Sequence, residues 1–286
     1  ITLYHLIFIV KIKNNMKVGI IGTGLSSLTL AKALVNENIN VDLIIEKKIK
    51  KPNQSRTIGV SKANLEFFNK NILDITKIVW KLKKIEIFTD NLKQEKLINF
   101  ENQNHELFSI FKNYNLFQLL EKNLSQNKYF NKIPFNKNLS FLKNYNLIIN
   151  SDYSNIITKK YFSKKIEKKY ESFAYTAIIK HHDINNHTAT QIFTKRGPLA
   201  FLPVSRNETS VVYSIHFSRN KKKDNIEDLI KYYNFKYKIK KIEKIESFEL
   251  KSLNLRSYYH NNILAFGDLL HRIHPLAGQG FNMTIR

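Results

Sequence analysis

An α/β fold, built on a parallel sheet and carrying an inserted antiparallel sheet, is predicted by three features of the 286-residue sequence. KVGIIGTGLSSLTLAKALVNENINVDLIIE, from Lys17 to Glu46, gives strand, glycine turn, helix and strand within the ~30 residues of a βαβ unit, which implies parallel strands joined by a right-handed crossover. Between Ser172 and Phe217 four alternating runs, FAYTAIIK, ATQIFT, LAFLPV and SVVYSIHF, are separated by turn signals such as KRGP and SRNET, the pattern of antiparallel strands. Two more apolar strands, in NYNLIINSDYSN and NILAFGD, flank that insertion and belong with the first unit.

In chain order, ITLYHLIFIV precedes Met16. Its apolar part is too short to span a bilayer and no small-residue cleavage site follows, so residues 1–15 are expected to be upstream sequence ahead of a start at Met16. In the βαβ unit, Leu28, Ala31 and Leu34 recur at helical spacing after the glycine turn. From Lys62 to Asn131 the segments are helix-like or mixed; NLFQLLEKNL carries a stripe of Leu116, Leu119, Leu120 and Leu124 that suits core packing. The third parallel strand lies around 144–155, the antiparallel subdomain spans about 172–250, and a Lys-rich, helix-prone stretch leads to NILAFGD.

Composition narrows the function classes. With 43% hydrophobic residues the chain can build a core, and with no cysteine it excludes disulfide scaffolds, thiolate metal sites and cysteine nucleophiles, which fits a reducing, cytoplasmic setting. Forty-seven Lys and Arg against 23 Asp and Glu give +24. The excess is mostly Lys scattered among Asn and Ile, and the runs at 47–51, 164–169 and 221–223 suit solvated surface better than a phosphate groove. No nucleic-acid partner is therefore expected, and only a weak attraction to acidic membranes remains.

Gly22-Thr-Gly24-Leu-Ser-Ser27 is GxGxxS, between a strand and a helix. Gly22 permits the tight turn, Gly24 lets backbone N–H groups approach a pyrophosphate at the positive end of the helix, and Ser27 is small enough for close helix–strand packing. Glu46 closes the second strand about 20 residues on, where a carboxylate can accept both hydroxyls of an adenosine ribose. The unit is Rossmann-like and binds a dinucleotide, without choosing between FAD and NAD.

That choice follows from a resemblance. GIIGTGLSSLTLAKAL with Glu46, SRTIGVSKANLEFF, TATQIFTKRGPLAFLPVSRNETSVVYSI and LAFGDLLHRIHPLAGQGFNMTIR, taken together, resemble the FAD-dependent aromatic-ring hydroxylases, most closely the ubiquinone-biosynthesis branch of 2-polyprenylphenol hydroxylases. The likeness runs from about Met16 to the last residue. It implies the aromatic hydroxylase fold, FAD as cofactor, NAD(P)H as reductant, dioxygen as co-substrate and a phenolic, polyprenylated ring as substrate. It also implies a place peripheral to the inner membrane and a share in a ubiquinone-biosynthesis assembly.

By the same resemblance Arg56 reaches back to the flavin side of the cofactor, and Gly267 and Asp268 form the second flavin motif, whose carboxylate accepts from a ribityl hydroxyl. Pro275 lies by the ring. Gly278, Gln279 and Gly280 turn backbone N–H groups toward the pyrimidine edge, where reduced flavin carries negative charge, and Asn282 belongs to the same turn. Asp152 matches the middle motif. His271 and His274 shape the second motif and no metal is expected there; HHDINNH, with His181, His182 and His187, is expected to be a solvent-exposed loop. No catalytic acid or base is identified.

Two positions depart from the family pattern. Tyr153 stands where the middle motif has a glycine, and a tyrosine there would obstruct a backbone approach to the cofactor or a nicotinamide. The sequence also stops at Arg286, early in the helix that GQG begins, so the family's C-terminal helical part is expected to be missing. Rival readings are a related flavoprotein, a halogenase or prenyl reductase, against which GPLAFLPV argues, and a non-catalytic flavin-binding remnant.

Overall fold

The computed structural model describes residues 16–46, 51–90, 96–101, 106–216, 225–272 and 279–285; the expected upstream extension, 1–15, lies outside them. The chain opens with β1 (Lys17–Ile21), α1 (Leu25–Asn36) and β2 (Asn40–Ile45), and β1 and β2 pair in parallel as the βαβ pattern demands. Eight of the twelve residues of α1 are buried, because the helix is sandwiched between this sheet and later elements.

The next stretch is richer in strands than its sequence suggests. β3 (Thr57–Ser61) leads into α2 (Lys62–Asn71), which Ser61 caps by accepting from the Asn64 N–H. Then come β4 (Trp80–Leu82), β5 (Lys84–Thr89), β6 (Lys96–Glu101) and β7 (Phe108–Lys112) before α3 (Asn113–Ser125). The helix-like reading of 62–131 therefore fails for these four strands. They are three to six residues long, and β6 is exposed along its whole length, so little hydrophobic alternation marked them. The stripe on α3 packs as expected, with Leu116, Leu120 and Leu124 buried.

β8 (Phe130–Pro134), β9 (Leu147–Asn150) and α4 (Ile156–Tyr161) return the chain to the parallel sheet. The large sheet follows: β10 (Lys165–His181), β11 (Thr188–Thr194), β12 (Gly197–Pro203) and β13 (Glu208–His216), then α5 (Ile226–Tyr233), β14 (Ile239–Ile242) and β15 (Glu246–Leu255). β16 (Tyr259–His260), β17 (Ile263–Ala265), β18 (His271–Arg272) and α6 (Gln279–Ile285) complete the described chain.

Three sheets result. The first, β16-β17-β9-β1-β2-β8, is parallel except for β16; the third is the small β3-β7-β4. The second has nine strands, β18-β15-β10-β13-β12-β11-β5-β6 with β14 beside β10. It is wider than the predicted 172–250: β10 starts at Lys165, and β5, β6 and β18 join from outside. The early part of β10, KIEKKY, is almost wholly exposed, so it lacked the apolar signal of the part after the bulge at Lys169–Phe173. β14 and β15 likewise replace much of the helix-prone stretch.

One face of this sheet buries Ile179, Val211 and Tyr213 against Ile230 of α5 and Tyr237. His181, expected in an exposed loop, is buried at the end of β10, 2% exposed. One ring nitrogen lies 3.0 Å from Thr209 Oγ1, the other 2.7 Å from the His182 carbonyl, and the Tyr237 ring packs tilted against it with centroids 4.5 Å apart. The loop reading failed because β10 runs two residues past Ile178 and Ile179 and carries the histidine inward with it. Among the described residues no helix is long and apolar enough to cross a membrane, and no group of three metal-ligating side chains occurs.

Candidate cofactor site

The strand order β17-β9-β1-β2 sets the carboxyl ends of four parallel strands side by side, with Ala265 opposite Asn150, Asn150 opposite Ile21 and Ile21 opposite Ile44. The loops after them carry Gly267 and Asp268, Ser151 to Asn155, Gly22 to Gly24, and Glu46. Motifs at opposite ends of the sequence thus gather along one sheet edge, the place where open α/β sheets bind ligands.

The glycines there are not equivalent. Gly22 has φ +120°, and a Cβ on it would stand 2.3 Å from Ser151 Oγ. Gly267 has φ +62°, and its Cβ would meet Ser26 Cβ at 3.1 Å. Both are required by the protein's own packing. Gly24 has φ −78°, which any residue tolerates, and a Cβ on it would meet nothing within 4 Å. It is the N-cap of α1, and no side chain caps that helix. Open space thus faces the unsatisfied N–H groups of a twelve-residue helix, which suits an anionic group such as a pyrophosphate.

Around this space the polar groups are braced by the fold. Ser27, fully buried, shares a 2.6 Å hydrogen bond with Ser151 Oγ, and the Ser151 N–H donates to Ile21 O at 2.9 Å, tying the turn after β1 to the end of β9. Asn155, the buried N-cap of α4, donates from Nδ2 to Glu46 Oε2 at 2.9 Å, fixing an otherwise exposed carboxylate. Asp152 accepts from the Ser154 N–H and hydroxyl, both at 2.8 Å, so its carboxylate holds its own turn. Ser151 and Asn155 were missed by sequence reasoning; only an N-cap pattern, Asn before a short helix, marked the latter.

Arg56 precedes β3, its carbonyl accepting from the Asn113 N–H. Its guanidinium lies 4.8 Å from the centre of the Phe248 ring on β15 and keeps solvent access on one side. Crowding by protein pulls its pKa below the usual arginine value; Asp268 opposes this, Arg272 adds to it and Glu246 opposes it. Arg56 and Asp268 thus lie within electrostatic reach of each other. Asp268 is exposed, in a single helical turn after β17, and a Cβ at Gly280 would be 3.9 Å from its Oδ1, so the start of α6 lies beside the second motif. Gln279 opens α6. Pro275 and Gly278, with His274, lie outside the described residues.

Asn282 is committed to the protein. Its Oδ1 accepts from Asn64 Nδ2 at 2.8 Å and its Nδ2 donates to Gly59 O at 2.7 Å, fastening α6 to β3 and α2. His271 shares a 2.8 Å bond with Asn254 Oδ1, and burial lowers its pKa, both consistent with a structural part. Tyr153 turns outward: it is 57% exposed, and the Arg272 guanidinium sits 4.6 Å above its ring, a cation–π pair.

No family model and no curated protein matches the sequence. Solved structures do resemble the fold. PqsL, a probable FAD-dependent monooxygenase from Pseudomonas aeruginosa, superposes with a TM-score of 0.72 at 14% identity over 95% of this chain and 83% of that one. The tetrameric form of 2-methyl-3-hydroxypyridine-5-carboxylic acid oxygenase gives 0.74 at 13% over 96% and 80%, and p-nitrophenol 4-monooxygenase PnpA from Pseudomonas putida 0.74 at 10% over 95% and 77%. PqsL is also known in complex with 2-aminobenzoylacetate. The chain has the fold of the FAD-dependent aromatic hydroxylases.

Proposed function

We propose that the protein is an FAD-dependent monooxygenase that hydroxylates a phenolic ring, with NAD(P)H as reductant. The observation that carries this reading is the open space at Gly24, before an uncapped helix and between Glu46 and Asp268, a cradle that the protein's own packing leaves unfilled. The residues fit the cofactor in kind: an N-terminal helix dipole for a pyrophosphate, a braced carboxylate for a ribose diol, and a second carboxylate for a ribityl chain. The FAD fold of three solved monooxygenases supports the same choice.

In this reading Gly22, Gly24 and Ser27 shape the pyrophosphate turn, Glu46 accepts from the adenosine ribose while Asn155 occupies its other oxygen, and Asp152 supports the loop between them. Gly267 and Asp268 hold the ribityl chain, and Arg56 supplies positive charge on the flavin side. Pro275, Gly278, Gln279 and Gly280 border the ring, with Asn282 anchoring the helix that Gln279 opens. Bound FAD supplies the oxygen-transfer chemistry; the chain binds, orients and excludes water. A polyprenylated phenol, a ubiquinone-biosynthesis role and a site at the inner-membrane surface rest on the resemblance of the four sequence stretches and on the +24 charge.

A second reading, a flavin-binding protein that does not turn over with a nicotinamide, rests on the sequence departure at Tyr153, whose ring in the fold turns outward against Arg272. The test is to express the chain, measure bound flavin by absorbance at ~450 nm and follow NAD(P)H oxidation with and without phenolic substrates. Colourless protein that takes up no added FAD sinks the flavoprotein reading; yellow protein without substrate-dependent oxidation selects the second reading.

A further inference from the structure

β6 ends the path of the nine-stranded sheet, so one edge of its backbone pairs with no described strand. All six residues of KLINFE are exposed, among them Leu97 at 52%, Ile98 at 43% and Phe100 at 49%. Folded proteins blunt such edges with prolines, bulges or inward charges; β6 has only a register shift near Lys96. Its pairing with β5 sorts the side chains. Ile85 faces Phe100 and Ile87 faces Ile98 on one side of the hairpin, while Lys84 faces Glu101 and Glu86 faces Asn99 on the other.

We propose that β6 is a self-association edge, joining antiparallel to β6 of a second copy about a two-fold axis that runs midway between the two Asn99 residues. Such an axis stands perpendicular to the sheet and preserves its faces, so residues meeting across it must share a face. Centred on Asn99, it sets Ile98 opposite Phe100 of the second copy, twice over. Four apolar side chains then continue the surface of Ile85 and Ile87. On the charged face Leu97 lies opposite Glu101, Lys96 comes next to Glu101 of the second copy, and Asn99 meets Asn99. The existing bridges Lys84–Glu101 at 3.2 Å and Lys96–Glu86 at 2.7 Å then join into a row of alternating sign across both chains.

Charge singles out a second copy over a membrane. The chain carries +24, which repels another copy at most orientations, yet the two strands of this hairpin balance Lys84 and Lys96 against Glu86 and Glu101, and Asp90 follows β5. The same neutrality removes the cationic rim that draws an apolar patch to anionic lipid.

Sedimentation velocity of the full chain over a concentration series should show a reversible dimer, and Ile98→Lys and Phe100→Lys should each weaken it at least tenfold with an unchanged melting temperature. The chain has no cysteine, so Asn99→Cys introduces a single thiol that should cross-link to a dimer under mild oxidation, whereas Lys128→Cys on a distant loop should not. A monomer at all concentrations, a dimer indifferent to Ile98→Lys, or failure of Asn99→Cys to cross-link overturns the proposal. So does a monomer that pellets with phosphatidylserine vesicles and loses that binding with Ile98→Lys.

Discussion

The parallel sheet and the large antiparallel sheet dispose of their polar side chains in opposite ways. At one end of the large sheet His181, Thr209, Asn186 and Tyr237 satisfy one another in a closed buried network, and Ser55 joins Thr176 at 2.9 Å and Glu246 at 2.7 Å where that sheet meets the Arg56 loop. At the carboxyl edge of the parallel sheet they are braced from behind and left open in front, as with Glu46 on Asn155 and the turn at Gly24. A closed network gives rigidity, whereas a braced but open one is pre-organised for a ligand.

The contrast between Gly22 and Gly24 offers the sharpest test. Gly22→Ala should destabilise the fold by about 2–5 kcal/mol in urea unfolding, from backbone strain at φ +120° plus the clash with Ser151. Gly24→Ala should cost no more than about 1 kcal/mol, the usual penalty for alanine at an N-cap, yet weaken FAD binding about tenfold or more in a fluorescence titration. Equal losses of stability at the two positions would remove the open cradle from the picture.

Breaking the closed network comes next in size. Thr209→Val should cost about 1–3 kcal/mol, because it strips partners from buried His181 and Asn186. Burial holds the His181 pKa below its ordinary value of about 6.5, opposed by the His182 carbonyl, with Lys236 adding to the depression and Glu208 and Asp183 opposing it. The unfolded chain therefore binds the proton more readily. Stability is unaffected above about pH 6.5 and falls as pH drops through that value toward the lower folded pKa. The urea midpoint should decline between pH 7.5 and 5.5, and His181→Gln should flatten that decline.

The smallest structural effect is expected at Tyr153. Tyr153→Gly removes one cation–π contact with Arg272, worth about 0.5–1 kcal/mol at an exposed site, and should leave flavin content unchanged. If the ring obstructs a nicotinamide, flavin reduction by NAD(P)H in stopped flow should quicken severalfold in the variant; an unchanged rate would make Tyr153 a bystander.

Legibility differed between the same two regions. The glycine turn, Glu46 and the second motif stood out because each needs an unusual residue at a fixed place, and backbone requirements of that kind survive in any composition. β4 to β7 and the first half of β10 did not, since short or exposed strands bury too little to imprint a period of two. His181 was misjudged because burial depends on what packs above a residue, here Tyr237, more than 50 positions away in sequence.

The sequence by itself determined the βαβ unit, the residue types of the candidate site and the alternation of the central antiparallel strands, because local backbone geometry and hydrophobic period are written in neighbouring residues. Tertiary structure decided which of those residues face a ligand. Whether a glycine is filled by Ser151 or open to solvent, whether an asparagine caps a helix or bolts it to β3, and whether a tyrosine blocks the site or stacks under Arg272 all depend on side chains brought from distant segments. Such contacts arise from the register of strands that meet only in the folded sheet.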